Sequence, residues 1–113
     1  MASVQKITLF SGSVSSNSSG SAVSLEGLQD DFVGFLDITA IGAGTTATVK
    51  IERSPNGSDW FDWINFSAAN SVGKQLKDAT APGLSYARMT ISFMGPPTVA
   101  TMSVTLSFDK KSK

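Results

Sequence analysis

A period of two runs through this chain, and it restricts the fold more than any single residue does. Thr45 to Arg53 reads T-T-A-T-V-K-I-E-R, with Ala47, Val49 and Ile51 on one face and Thr46, Thr48, Lys50 and Glu52 on the other. Side chains alternate sides along a strand, so this pattern predicts a half-buried strand, and its β-branched content agrees. Met102, Val104, Leu106 and Phe108 alternate with Thr and Ser in the same way, as do Ala87, Met89, Ile91 and Phe93 with Arg88, Thr90 and Ser92. Val4 to Phe10 predicts a first strand with Ile7 and Leu9 inward. No helix-period window of useful length competes; Ala68 to Gly73 leaves room for one short turn at most.

Two segments are apolar on both faces. Asp31 to Ile41 reads D-F-V-G-F-L-D-I-T-A-I, the pattern of a central strand covered on both sides. Gly34 within it suggests a bulge or a close backbone approach. Asp59 to Ser67, D-W-F-D-W-I-N-F-S, has strand propensity with no evident register. Weaker strands are expected at Ser21 to Leu25 and near Val72 to Leu76. Between them stand turn signals: Ser54-Pro55-Asn56-Gly57-Ser58-Asp59, Gly42-Ala43-Gly44, Ala81-Pro82-Gly83 and Gly95-Pro96-Pro97. Pro presets φ, and Asn-Gly supplies the positive φ of tight hairpins. Strands recurring roughly every ten residues are the spacing of an all-β sandwich or barrel.

The length suits one domain over residues 1–113, large enough to bury a core without covalent staples. Within it, residues 1–10 are expected to act as an N-terminal arm. The Ser/Gly-rich segment 11–21 is expected as a mobile surface loop. Residues 109–113 form a short basic tail, a solvated end rather than a phosphate-seeking arm. No internal repeat is evident.

Composition removes whole classes of function. There is no Cys and no His. A disulfide framework, a thiolate zinc site and a thiol nucleophile are therefore out, as are the commonest general base and metal ligand. Nine Lys plus Arg balance nine Asp plus Glu. A neutral chain lacks the basic stripe that nucleic acid requires. The apolar stretches fall far short of the ~20 residues of a membrane helix. Met1 to Phe10 alternates and runs into serines, unlike the apolar core of a secretory signal.

The remaining candidates for chemistry are weak. Asp59 and Asp62 are three residues apart and point to opposite faces of a regular strand, which does not suit a glycosidase pair. Asp59 is better read as closing the Asn-Gly turn through its side chain. No calcium loop of the D-x-(D/N)-x-(D/N)-G form occurs. The many serines have no His beside them, and no S-x-x-K motif surrounds Lys50, Lys74 or Lys77. Neither phosphate-binding glycine pattern is present. The expectation is a non-enzymatic protein with no cofactor and no metal. The aromatic cluster Trp60, Phe61, Trp63, Phe66 is more informative. Trp60, Ile64 and Phe66 are expected in the core, which leaves Phe61 or Trp63 as an exposed contact for a protein or a sugar ring.

Val49 to Trp60 has the form strand, S-P-(D/N)-G-x-x-W turn, strand, and Leu84-Ser85-Tyr86-Ala87-Arg88-Met89 follows as a later strand. In this order the chain resembles small virion structural proteins of tailed bacteriophages, capsid decoration (cement) proteins of β-sandwich or jelly-roll type. The resemblance spans roughly Phe32 to Phe108 and is carried by the turn residues Pro55, Asn56, Gly57 and Trp60. It implies an all-β fold, a single antiparallel β-sandwich, jelly-roll-like, of about eight strands. It implies a protein that binds the outer surface of the major capsid lattice and stabilises the head. The partners are then the major capsid protein and further copies of itself, as a homotrimer, with no nucleic acid and no membrane. The location is the capsid exterior, reached from the host cytoplasm during assembly. Candidate contacts are Val4, Ile7 and Phe10 in the arm, and Phe61 and Trp63 in the aromatic strand. Two alternatives stay open: a tail or head-tail component, and a carbohydrate-binding jelly roll used in host adsorption, because the same turn occurs in such modules.

Overall fold

The structure, a computed structural model, describes residues 3–24, 32–79, 86–94 and 99–110, with the side chains of 3–5 and 108–110 left aside. Nine strands follow one another among them: β1 (Ser3–Val14), β2 (Ser18–Ser19), β3 (Val23–Ser24), β4 (Phe32–Ile41), β5 (Thr46–Ser54), β6 (Phe61–Asn65), β7 (Gly73–Ala79), β8 (Tyr86–Met94) and β9 (Ala100–Lys110). They build two antiparallel sheets. The first has the order β1-β9-β4-β7; the second has β2-β8-β5-β6, with β3 also paired to β8. The chain is a β-sandwich. Among the described strands, β5 and β6 alone form a hairpin within one sheet; the other sequence neighbours lie in different sheets or, like β2 and β3, pair with a third strand.

The alternating strands behave as their patterns dictate. Ala47, Val49 and Ile51 of β5 are buried, and so are Ala87, Met89 and Ile91 of β8 and Met102, Val104 and Leu106 of β9. With Leu9, Phe32, Leu36, Ile38, Ile64 and Phe66 they form one apolar cluster between the sheets. Burial of these side chains is the main drive for folding, at roughly 25 cal/mol per Å² of apolar surface.

Three expectations need correction, and at Gly34 one of two alternatives holds. Residues 3–10 of the expected arm do not stand apart from the domain: β1 pairs with β9 from Ser3↔Lys110 to Val14↔Ala100, so its backbone is already committed on one side. The Ser-rich segment is largely bound structure as well. Ser11–Val14 continue β1, Phe93 N donates to Asn17 Oδ1 at 2.8 Å, and Gly20 N donates to Met89 O at 2.9 Å. β4 is central, between β9 and β7, but only one face lies against the other sheet. Phe32, Gly34, Leu36 and Ile38 are buried; Val33, Phe35 and Asp37 on the opposite face are half-buried. Gly34 marks no bulge, since the register of β4 shifts only between Ile38 and Ala40. A Cβ there would stand 3.1 Å from Ile64 Cδ1 and 3.3 Å from Phe66 Cζ, so the close approach is to side chains of the facing sheet.

No helical turn forms at 68–73. Ala69 instead exchanges backbone hydrogen bonds with Ala47, extending the edge beside β5. The breaks at 81–83 and 95–97 and residues 111–113 of the tail lie outside the described residues.

Candidate functional face on the second sheet

The turn after β5 is a compact hydrogen-bonded unit. Ser54, fully buried, accepts from Gly57 N at 2.8 Å and Asn56 N at 3.2 Å through Oγ, and donates to Asn56 Oδ1 at 3.1 Å. Asn56 Oδ1 also accepts from Ser58 N and Asp59 N, each at 2.9 Å. Its Nδ2 donates to Asp59 Oδ2 at 2.9 Å, so Asp59 does close the turn through its side chain. Gly57 has φ +79°, and among the described residues no non-glycine residue has positive φ. Asn56 thus serves by its side chain and not by a left-handed backbone. Pro55 is exposed at the tip.

This turn delivers Trp60 to the outer face of the second sheet. The Arg88 guanidinium lies 4.3 Å from the centroid of its ring. Trp60 is half-buried there and does not fill the core, contrary to expectation. The odd-numbered positions of β5 and β8 take the core, so Arg88, opposite Glu52, is turned outward. Arg88 Nε donates to Glu52 Oε1 at 3.0 Å. Lys50 Nζ lies 3.6 Å from Glu52 Oε2 and donates to Asp62 Oδ1 at 2.8 Å. Asp62 holds Lys50 above the ordinary lysine value of 10.5, chiefly by that hydrogen bond and then by charge, with Glu52 adding to it and burial opposing it. Two cations and two carboxylates therefore alternate across three strands. Beside them Thr48, Thr90 and Ser92 line a shallow hollow with Lys50 and Ile91.

Of the four candidate contacts whose side chains are described, Phe61 alone is strongly exposed, at 55%. Trp63 turns inward, its ring 5.4 Å from that of Phe32 at 78°, edge to face. The cause is a bulge: Ile51 pairs with Ile64 and Glu52 with Asp62, so Trp63 is an extra residue that shares the core side with Ile64. A second bulge at Leu9, between Thr8 and Phe10, keeps Ile7 and Phe10 half-buried against the core. Val4 pairs with Asp109 in the backbone, and its side chain lies outside the described ones. Sequence reasoning missed the Arg88–Glu52–Lys50–Asp62 row. The outward positions of Lys50, Glu52 and Arg88 were visible in the alternation; their adjacency depends on which strands pair.

Leu76 is exposed in the middle of β7, and three further exposed apolar residues gather at the opposite end of the sandwich from Phe61. Met94 pairs with Thr46 at the start of β5, Val72 precedes Gly73, which pairs with Ile38, and Val99 precedes β9, whose first residue pairs with Ile41. They are exposed by 73%, 58% and 40%.

Fold and face together define a small β-sandwich with an ion-paired polar face and an apolar rim at one end. No protein-family model and no curated protein matches the chain. Among solved structures it is similar to the SPBc2 prophage-derived protein YomS, with a TM-score of 0.66 and 12% identity over 97% of this chain and 96% of that one. A chain from the disulfide-linked pili of Bacillus endospore appendages aligns at a TM-score of 0.44 and 10% identity, over 98% of this chain and 92% of that one. The likeness to YomS is one of fold.

Proposed function

We propose that this chain is a bacteriophage virion protein of the decoration type, which binds the outer surface of the capsid lattice and stabilises the head without catalysis. The observation that carries the proposal is the end-to-end likeness to a prophage-derived protein of the same size, 97% of this chain against 96% of that one. The surface suits the role. The carboxylates of the second sheet face are held by Arg88 and Lys50, so the face is polar without being reactive. The apolar rim of Val72, Met94 and Val99 offers a contact for the lattice. A protein that binds only the assembled shell stabilises it by mass action.

The sugar-binding reading loses most of its aromatic platform. Trp63 is turned to the core and one face of Trp60 is taken by Arg88, which leaves Phe61.

The test is to add the purified chain to expanded capsids that lack it, then image the particles and measure their disruption temperature. Regular density on the shell and a raised temperature are expected. Density on the tail would place the chain there instead, and absence of any lattice occupancy would end the proposal.

A further inference from the structure

β7 is an edge of the first sheet, and among the described residues no strand pairs with its outer side. Its partner β4 meets it in unbroken register from Phe32↔Ala79 to Ile38↔Gly73. The other edge of that sheet, β1, is interrupted by the bulge at Leu9. β7 therefore presents a straight row of backbone donors and acceptors, the ordinary template for a further strand. It also carries Leu76, 66% exposed, next to the half-buried Phe35 on the outward face.

We propose that β7 pairs antiparallel with β7 of a second copy about a two-fold axis at Leu76. The sequence of the strand, G-K-Q-L-K-D-A, is self-complementary in that register alone. Leu76 is its central residue. Gly73 then faces Ala79 of the second copy, Lys74 faces Asp78, Gln75 faces Lys77, and Leu76 faces Leu76. All seven residues find partners, with two Lys74–Asp78 pairs related by symmetry. Lys74, Leu76 and Asp78 share the outward face, so the two leucines meet between the two ion pairs. Phe35, paired with Leu76 within each copy, extends the apolar strip on both sides. Asp37, paired with Lys74, adds a second carboxylate to each lysine.

Other registers fail. A shift of one residue sets Lys74 against Lys77 one way and Leu76 against Lys77 the other, and either way it puts side chains of opposite faces across from each other, which a two-fold axis forbids. A shift of two one way sets Lys77 against Lys77, and the other way leaves Lys74 against Leu76. Lysines on an edge strand usually prevent pairing, but here they select one register, because like charges directly opposite destabilise a ladder and unlike charges support it. An isologous contact of this kind closes at two copies. The self-association is then dimeric, in place of the trimer that the virion resemblance implies, and it stands whether or not the chain binds a capsid.

Sedimentation of the full chain tests this. The wild type is expected to sediment as a dimer. Lys74→Asp sets carboxylate against carboxylate twice and should weaken the dimer at least about tenfold in Kd, equal to 1.4 kcal/mol or more. The exchange Lys74→Asp with Asp78→Lys should restore it, which separates interface loss from misfolding. Because the chain has no Cys, Leu76→Cys should cross-link readily to itself under mild oxidation. Lys74→Cys, which faces Asp78, should not. A monomeric wild type, a dimer indifferent to Lys74→Asp, no rescue by the exchange, or equal cross-linking at 74 and 76 would each overturn the pairing.

Discussion

The Arg88 guanidinium stacks 4.3 Å from the ring centre of Trp60 while its Nε donates to Glu52 at 3.0 Å. One side chain thus ties the turn after β5 to the outer face of the second sheet. Glu52 is only 12% exposed by side chain and depends on Arg88 for its nearer cation. Arg88→Ala should destabilise the fold by about 1–3 kcal/mol, because it leaves a nearly buried carboxylate short of a partner. Arg88→Lys keeps the charge without the planar fork and should fall between. In a Trp63→Phe background Trp60 is the only indole left. Its emission should change on Arg88→Ala; an unchanged spectrum would show that the ring is not stacked.

Gly34 lies against side chains of the facing sheet. Its φ is unremarkable, so the argument is steric: a Cβ would meet Ile64 Cδ1 at 3.1 Å and Cγ2 at 3.2 Å. Gly34→Ala should cost about 1–3 kcal/mol by overpacking. Ile64→Val removes the Cδ1 methyl and should recover part of that loss in the double variant. Additive losses in denaturant unfolding would refute the contact.

The physical limits of sequence reading are visible in these same residues. Alternation placed Ala47, Val49 and Ile51 inward because one strand suffices to define two faces. It left open which of Phe61 and Trp63 is exposed, because a bulge in β6 changes parity and nothing local in D-W-F-D-W-I-N-F-S marks that extra residue. Trp60 was expected in the core on its size, yet a rigid turn and an arginine on another strand hold it outside. The row Arg88–Glu52–Lys50–Asp62 was illegible for a different reason. Arg88 and Glu52 are 36 residues apart, and their meeting depends on strand order, which alternation does not encode.

Thr105 offers a test of polar burial. It is 6% exposed on the outer face of the first sheet, opposite Phe35 and Thr8, and its Oγ1 has no hydrogen-bond partner. Val is nearly its shape without the hydroxyl. Thr105→Val should be neutral or stabilising by up to about 1 kcal/mol, since an unsatisfied buried group carries only its desolvation cost. Thr101 is the contrast: its Oγ1 shares a 2.8 Å hydrogen bond with Ser13 Oγ. Thr101→Val should cost about 0.5–1.5 kcal/mol. Equal effects at the two sites in thermal unfolding would contradict the assignment.

Lys50 sets the alkaline behaviour of the second face. Its pKa is raised above 10.5, first by the hydrogen bond to Asp62 and then by the charges of Asp62 and Glu52. A raised folded value means that the folded state holds this proton more tightly than the unfolded one. The stabilisation is therefore complete below 10.5 and disappears as pH climbs through the raised value. Its size is small, under about 1 kcal/mol, because both partners of the 2.8 Å pair are well exposed, at 37% and 56% by side chain. Asp62→Asn removes the largest cause while keeping the shape. The stability difference between wild type and Asp62→Asn should be flat from neutral pH to about 10 and then shrink as Lys50 loses its proton, while other alkaline titrations cancel in the subtraction. Added salt should shrink the same difference at neutral pH, because an exposed pair is screened within a Debye length of about 8 Å at physiological ionic strength. A difference that grows with pH would mean that Lys50 is held by something other than Asp62.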